Sequence, residues 1–110
     1  MNSLIEEEYK FNLEAKNVYA KFIDKWGEDA QIDMCIEEMA ELTQALLKLR
    51  RHNKYGYKPN MTLQFIANLT EEVADVQFML NQMKVFVMKE SYIEQLQEKL
   101  YRTIGKIEEI

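Results

Sequence analysis

A chain of 110 residues, 47% apolar and 30% charged, has the size of a single domain, 1–110, and can close one core. Its net charge of −5 excludes a general grip on a nucleic-acid polymer, which needs a basic surface to displace counterions. One cysteine, Cys35, cannot form an internal disulfide, the acidic start MNSLIEEEYK has no signal-peptide character, and no apolar run reaches membrane-spanning length. A cytoplasmic protein with no membrane partner is therefore expected. Three glycines and one proline leave little material for turns, and good helix formers dominate the rest, so the expected class is all-α.

The first helix is expected from Ser3, which has capping-box spacing to Glu6, to about Lys25. Its apolar seam is Phe11, Ala15, Val18 and Phe22, and Gly27 marks its end. The second helix runs from Asp29 or Ala30 to about Arg51, on Ile32, Cys35, Met39, Leu42, Leu46 and Leu49. After a connection at 52–60, the third covers Thr62 to Lys89, on Ile66, Leu69, Val73, Val76, Leu80, Met83 and Val87. The fourth opens on a second capping box, Ser91 to Glu94, and carries Ile93, Leu96, Leu100, Ile104 and Ile107. A four-helix antiparallel bundle follows. Ile36, Ala40 and Leu47 widen the apolar arc of the second helix, which points to a further packing partner and hence a homo-oligomer, a dimer or tetramer.

Two phrases in the chain are nearly the same: IEEMAEL at 36–42 and TEEVADV at 70–76, offset by 34 positions. At 100° per residue, Glu38 lies about 60° and Glu41 about 120° from the seam of the second helix. Glu72 and Asp75 take the same angles on the third, with Glu37 and Glu71 further out. Each helix thus carries an acid pair on one shoulder of its stripe. Packed antiparallel, the helices bring four carboxylates together, which must protonate, splay apart or hold a cation. Oxygen ligands without His or Cys select Mg²⁺, Mn²⁺ or Ca²⁺ over zinc. A di-iron bundle needs Glu-x-x-His pairs, and the only histidine, His52, lies in the connection and reads as a surface residue.

These phrases, with WGEDAQIDMCIEEMAELTQALLKLRR and NLTEEVADVQFMLNQM around them, resemble the EExxE…ExxD signature of the all-α, MazG-like nucleoside triphosphate pyrophosphohydrolases. The resemblance spans roughly residues 26–88. It implies a fold of that type, with Glu38, Glu41, Glu72 and Asp75 as metal ligands for Mg²⁺, which Mn²⁺ can replace. It implies catalytic roles for Glu37 and Glu38, and hydrolysis of a nucleoside triphosphate to monophosphate and pyrophosphate. Phosphoribosyl-ATP is the alternative substrate within that superfamily, and a non-enzymatic acidic interaction module is the alternative outside it.

On the substrate side, Lys48 lies seven residues beyond Glu41, about 10 Å along the same face, within reach of outer phosphates. Arg51 and Lys54 join it, although positive charge near a helix C-terminus also serves the helix dipole. Gln82 takes the place on the third helix that Lys48 takes on the second and, with Asn81 beside it, is a candidate for sugar or base contact. Trp26 either stacks on a base or packs beside Phe22.

Overall fold

Helix formers run almost unbroken through the chain and are punctuated at three places only. The structure, a computed structural model, describes residues 3–56 and 59–109. Its elements are α1 (Ser3–Trp26), α2 (Glu28–Tyr55), α3 (Pro59–Met83), a 3₁₀ turn (Lys84–Phe86) and α4 (Lys89–Glu108). There is no strand among the described residues, as the composition requires. No helix among them is long and apolar enough to cross a membrane.

Gly27 is the first punctuation. Its φ of 88° lies in the left-handed region that glycine enters without a Cβ penalty. Its N–H donates to the Ile23 carbonyl at 2.8 Å, and its own carbonyl accepts from the Gln31 N–H at 3.3 Å. One residue therefore ends α1 and begins α2.

The second punctuation is shorter than the expected 52–60 connection. HNKY contains no helix breaker, so α2 continues through His52 to Tyr55. Pro59 opens α3 because the first helical position needs no N–H. Tyr57 and Lys58 lie outside the described residues. The third punctuation comes earlier than expected, since α3 stops at Met83. Val87 and Met88 are extended, with ψ of 154° and 107°, a conformation that suits the β-branched valine. Val87 therefore leaves the expected seam. The second capping box does not form either: Met88 is the N-cap of α4, and the Ser91 Oγ accepts from Gln95 Nε2 at 3.2 Å instead.

α2 and α3 form an antiparallel pair that holds most of the core. Gln31 meets Gln82 at one end, and His52 meets Thr62 and Phe65 at the other. The contact line on α2 is Gln31, Cys35, Glu38, Leu42, Ala45, Leu49 and His52. On α3 it follows Phe65, Leu69, Glu72, Val76, Met79 and Met83, flanked by Asp75 and Gln82. Half of each expected stripe turns away from this line: Ile32, Met39, Leu46, Ile66, Val73 and Leu80 are all exposed. The apolar arcs are wide, and the helices meet where small Cys35 and Ala45 let them approach, one side of the richest apolar positions.

α1 lies across this pair through buried Ala15 and Tyr19, and the Tyr19 ring sits edge-on to Phe78 at 5.0 Å. Phe11 and Val18, expected inside, face out. Among the described residues α4 makes no extensive packing with α1–α3, and only its start, at Lys89, Tyr92 and Ile93, lies near α1 and the end of α3.

The Gln31–Gln82 pair gives a stability test. Gln82 Nε2 donates to Gln31 Oε1 at 2.6 Å, and both residues are buried. Gln31→Leu leaves a buried amide without its acceptor and is expected to cost about 1–3 kcal/mol in urea unfolding. Adding Gln82→Leu should recover most of that loss, because an apolar pair leaves nothing unsatisfied.

Candidate functional site

The ends of the hairpin set the register of its middle. Seven residues in from Gln31 is Glu38, and seven in from Gln82 is Asp75, so the antiparallel pair brings these two acids level. Glu72, one turn from Asp75 on the same helix, completes the group. Carboxylate oxygens of Glu38, Glu72 and Asp75 all lie within 4.8 Å of one another.

The acids do not sit on the shoulders of the seam, as helical periodicity around the apolar residues placed them. Glu38 and Glu72 are half-buried in the contact line itself, with Asp75 half-buried beside it and Glu41 exposed. The contact line is rotated away from the apolar stripes, which carries the acids inward. Burial raises the Glu38 carboxyl above its ordinary range, and the charges of Glu41 and Asp75 raise it further. Burial raises Glu72 in the same way, again with Glu41 and Asp75 adding, and with Glu71 contributing as well. Glu41 thus acts electrostatically on both inner acids and belongs with the cluster. Glu37 is exposed.

Two features bear on what this cluster could hold. Glu38 Oε2 and Glu72 Oε2 are buried and have no hydrogen-bond partner. Among the described residues no Lys or Arg pairs with these acids, and the ion pair that does form, Arg102 with Glu98 at 3.7 Å, is exposed on α4. Buried carboxylate oxygens without donors or counter-charges are costly unless protonated or ligating a cation. The donor set is all hard oxygen, which fits Mg²⁺ or Mn²⁺.

The basic residues divide. Lys48 and Arg51 line a shallow cleft of about 430 Å³ with His52, Tyr55, Met61 and Phe65, at the 52/62 end of the hairpin. Lys54 lies elsewhere, against Leu46, Leu49 and Arg50, with its ammonium 5.1 Å from the Tyr55 ring centroid. Trp26 stacks on Phe22 at 5.0 Å under the Lys25 ammonium, at the other end of the chain's helical pair. Gln82 is fully buried with its amide engaged by Gln31, so it is not presented to a ligand.

Sequence reasoning misplaced His52 and overlooked a second basic cleft. His52 is buried, its Nε2 is 3.1 Å from Thr62 Oγ1, and its ring lies 4.7 Å from Phe65. The spacing 31, 35, 38, 42, 45, 49, 52 was the available signal, because His52 continues it. The second cleft, about 470 Å³, lies between α1, the end of α3 and the start of α4, where Lys16, Lys84 and Lys89 gather near Tyr19, Asn81 and Tyr92. These lysines come from three separate elements and show no pattern in the sequence. No protein-family profile, curated protein or solved structure matches the chain.

Proposed function

We propose that this protein is a Mg²⁺-dependent nucleoside triphosphate pyrophosphohydrolase that releases a nucleoside monophosphate and pyrophosphate. The observation that carries this reading is the meeting of Glu38, Glu72 and Asp75 within 4.8 Å, with buried oxygens of Glu38 and Glu72 unsatisfied. The resemblance of the two acidic phrases to the EExxE…ExxD signature supplies the reaction class. Glu38, Glu72 and Asp75 hold the metal, with Glu41 at the open side of the group, and Mn²⁺ can substitute. Bound there, Mg²⁺ supplies charge neutralisation for phosphate oxygens and a more acidic water.

The chain's own residues divide the remaining work. Glu37, exposed beside the cluster, or an oxygen of Glu38 not engaged by the metal accepts the proton of the attacking water. Lys48 and Arg51 offer positive charge to the outer phosphates from the neighbouring cleft. Lys54 faces another side and Gln82 is engaged within the fold, so neither is assigned to the substrate, whereas Trp26, stacked on Phe22 yet 51% exposed, keeps its candidacy for stacking on a base. A cytoplasmic role in clearing unwanted nucleotides or adjusting a deoxynucleotide pool follows from the reaction.

The test is release of pyrophosphate from a panel of ribo- and deoxynucleoside triphosphates and phosphoribosyl-ATP, with Mg²⁺ and with EDTA. The expected result is equimolar pyrophosphate and monophosphate with Mg²⁺ and none with EDTA. Preference for phosphoribosyl-ATP would reassign the substrate within the same chemistry. Silence across the panel, with no divalent binding by calorimetry, would leave the acids as the surface of an interaction module.

A further inference from the structure

The cleft between α1, the end of α3 and the start of α4 gathers several kinds of anion-binding group, none of which the proposed reaction uses. The first is charge. Lys16, Lys84 and Lys89 line the cleft, and no Asp or Glu lines it with them. Among the described residues none of these lysines forms an ion pair with a carboxylate. Lys84 instead holds its ammonium 5.6 Å from the Tyr92 ring centroid. Lysines that converge from separate elements without a counter-charge repel one another until an anion joins them.

The second is the N-terminus of α4, a helix of 20 residues. Its first turns line the cleft through Lys89, Tyr92 and Ile93. No side chain caps this end, because Met88 is the N-cap and the Ser91 hydroxyl is engaged by Gln95. The first N–H groups of α4 thus have no side-chain acceptor, and the helix dipole adds positive potential at the same place.

The third is Tyr19. It lines the cleft from α1 and is 5% exposed, and its hydroxyl is buried without a hydrogen-bond partner. Edge-on packing against Phe78 fixes the ring, so the hydroxyl cannot swing out to water. A buried hydroxyl without an acceptor is costly, and an anion oxygen in the cleft supplies one. Each kind of group is ordinary alone, but here all converge on one volume of about 470 Å³.

We propose that this cleft binds a diphosphate group, carried by inorganic pyrophosphate or by a nucleoside diphosphate, without a metal. Charge sets the class. Near neutral pH a terminal phosphate carries about two negative charges and a bridged inner one about one, so a diphosphate matches the lysines. A single phosphate leaves one lysine uncompensated. The diphosphate oxygens are numerous enough to take the ammoniums, the α4 N–H groups and the Tyr19 hydroxyl together. Bound there, the group ties the start of α4 to α1 and α3. The cleft shares no residue with the carboxylate cluster or with the cleft of Lys48 and Arg51, and the inference does not rest on the proposed reaction.

Calorimetry of the full chain in EDTA at low ionic strength, with inorganic pyrophosphate, ADP and inorganic phosphate as probes, tests the site whether or not the protein turns over a triphosphate. Pyrophosphate is expected to bind one per chain, at least about tenfold tighter than inorganic phosphate, the effect of a further charge-assisted contact. ADP binding as tightly as pyrophosphate or tighter assigns the site to a nucleoside diphosphate, and weaker ADP assigns it to the inorganic ion. Lys16→Gln with Lys84→Gln should weaken pyrophosphate at least about 100-fold. Both lysines are exposed, so circular dichroism should show the helices retained. Tyr19→Phe should weaken it about tenfold, yet leave the ligand-free protein as stable as before or more so, because the unpaired oxygen is gone. Lys48→Gln with Arg51→Gln should bind pyrophosphate as wild type does. Amide exchange at Glu90 and Ser91 should slow when pyrophosphate is present. Absence of pyrophosphate binding in EDTA would overturn the proposal. So would an affinity that survives loss of Lys16 and Lys84, or one that falls instead with Lys48 and Arg51.

Discussion

Glu38→Gln is expected to lower Mg²⁺-dependent pyrophosphate release by at least about 100-fold in kcat while raising the melting temperature of the metal-free protein. Both effects come from one carboxylate. Metal-assisted stabilisation of a phosphoryl transition state is worth several kcal/mol, and each 1.36 kcal/mol is about tenfold in rate. The amide is neutral and cannot match a carboxylate as a ligand for a hard cation or as a proton acceptor. In the metal-free protein, however, Glu38 is half-buried, faces Glu41, Asp75 and Glu72, and has an oxygen without a donor. Replacing it removes that repulsion and keeps the shape. The opposed signs separate a ligand from a merely structural residue, whose loss would lower activity and stability together. Turnover equal to wild type would remove Glu38 from the site.

The second large effect is a linkage between pH, metal and stability. Glu38 and Glu72 are both raised, so their protonated forms are favoured by the fold. Their contribution to stability is present below the unfolded glutamate pKa of about 4.3 and is lost as pH rises through the raised values. Metal-free wild type should therefore lose stability with rising pH relative to the Glu38→Gln/Glu72→Gln double variant. Mg²⁺ reverses this where the carboxylates are ionised. At a hundred times its Kd a ligand stabilises by about 2.7 kcal/mol, or about 10 °C for a domain of this size. Differential scanning calorimetry should show that shift at pH 7.5 and almost none at pH 4, where protons hold the same oxygens. A Mg²⁺ shift of equal size at both pH values, or one retained by the double variant, would mean that the ion binds elsewhere.

Much of this was legible in the sequence, and the rest was hidden for identifiable reasons. The scarcity of Gly and Pro gave the helices, and Gly27 gave the first boundary. The repeated acidic phrase named four acids, of which Glu38, Glu72 and Asp75 converge while Glu41 stays exposed, and a spacing of three keeps Glu72 and Asp75 on one helical face. Hydropathy counts apolar residues, though, and places the contact line at their centre. In this chain the line runs through Gln31, Glu38, His52 and Glu72, with Gln82 beside it, polar residues that such a count ignores. The same rotation turned Ile32, Met39 and Leu46 outward and put Gln82 out of reach of any ligand. For α4, periodicity gave the apolar face but not its burial: Ile93, Leu96, Leu100, Ile104 and Ile107 are all exposed. The Lys16, Lys84 and Lys89 cleft arises only when three elements meet, and no local pattern encodes it.

The two hydrogen-bonded ends of the hairpin differ greatly in the length of chain they close. His52 and Thr62 are ten residues apart, while Gln31 and Gln82 are fifty-one apart. Loop-closure entropy makes the short contact the cheaper one to form first. Folding can then proceed as a zipper from the 52/62 end, with Ala45 buried before Glu38, Glu72 and Asp75 are reached and Cys35, Val76, Met79, Ala15 and Tyr19 buried only as it passes them. The repulsive part of the molecule is thus crossed midway, before most of the core is there to offset it. A cation held there offsets the repulsion where the zipper crosses it, so it speeds folding as well as slowing unfolding.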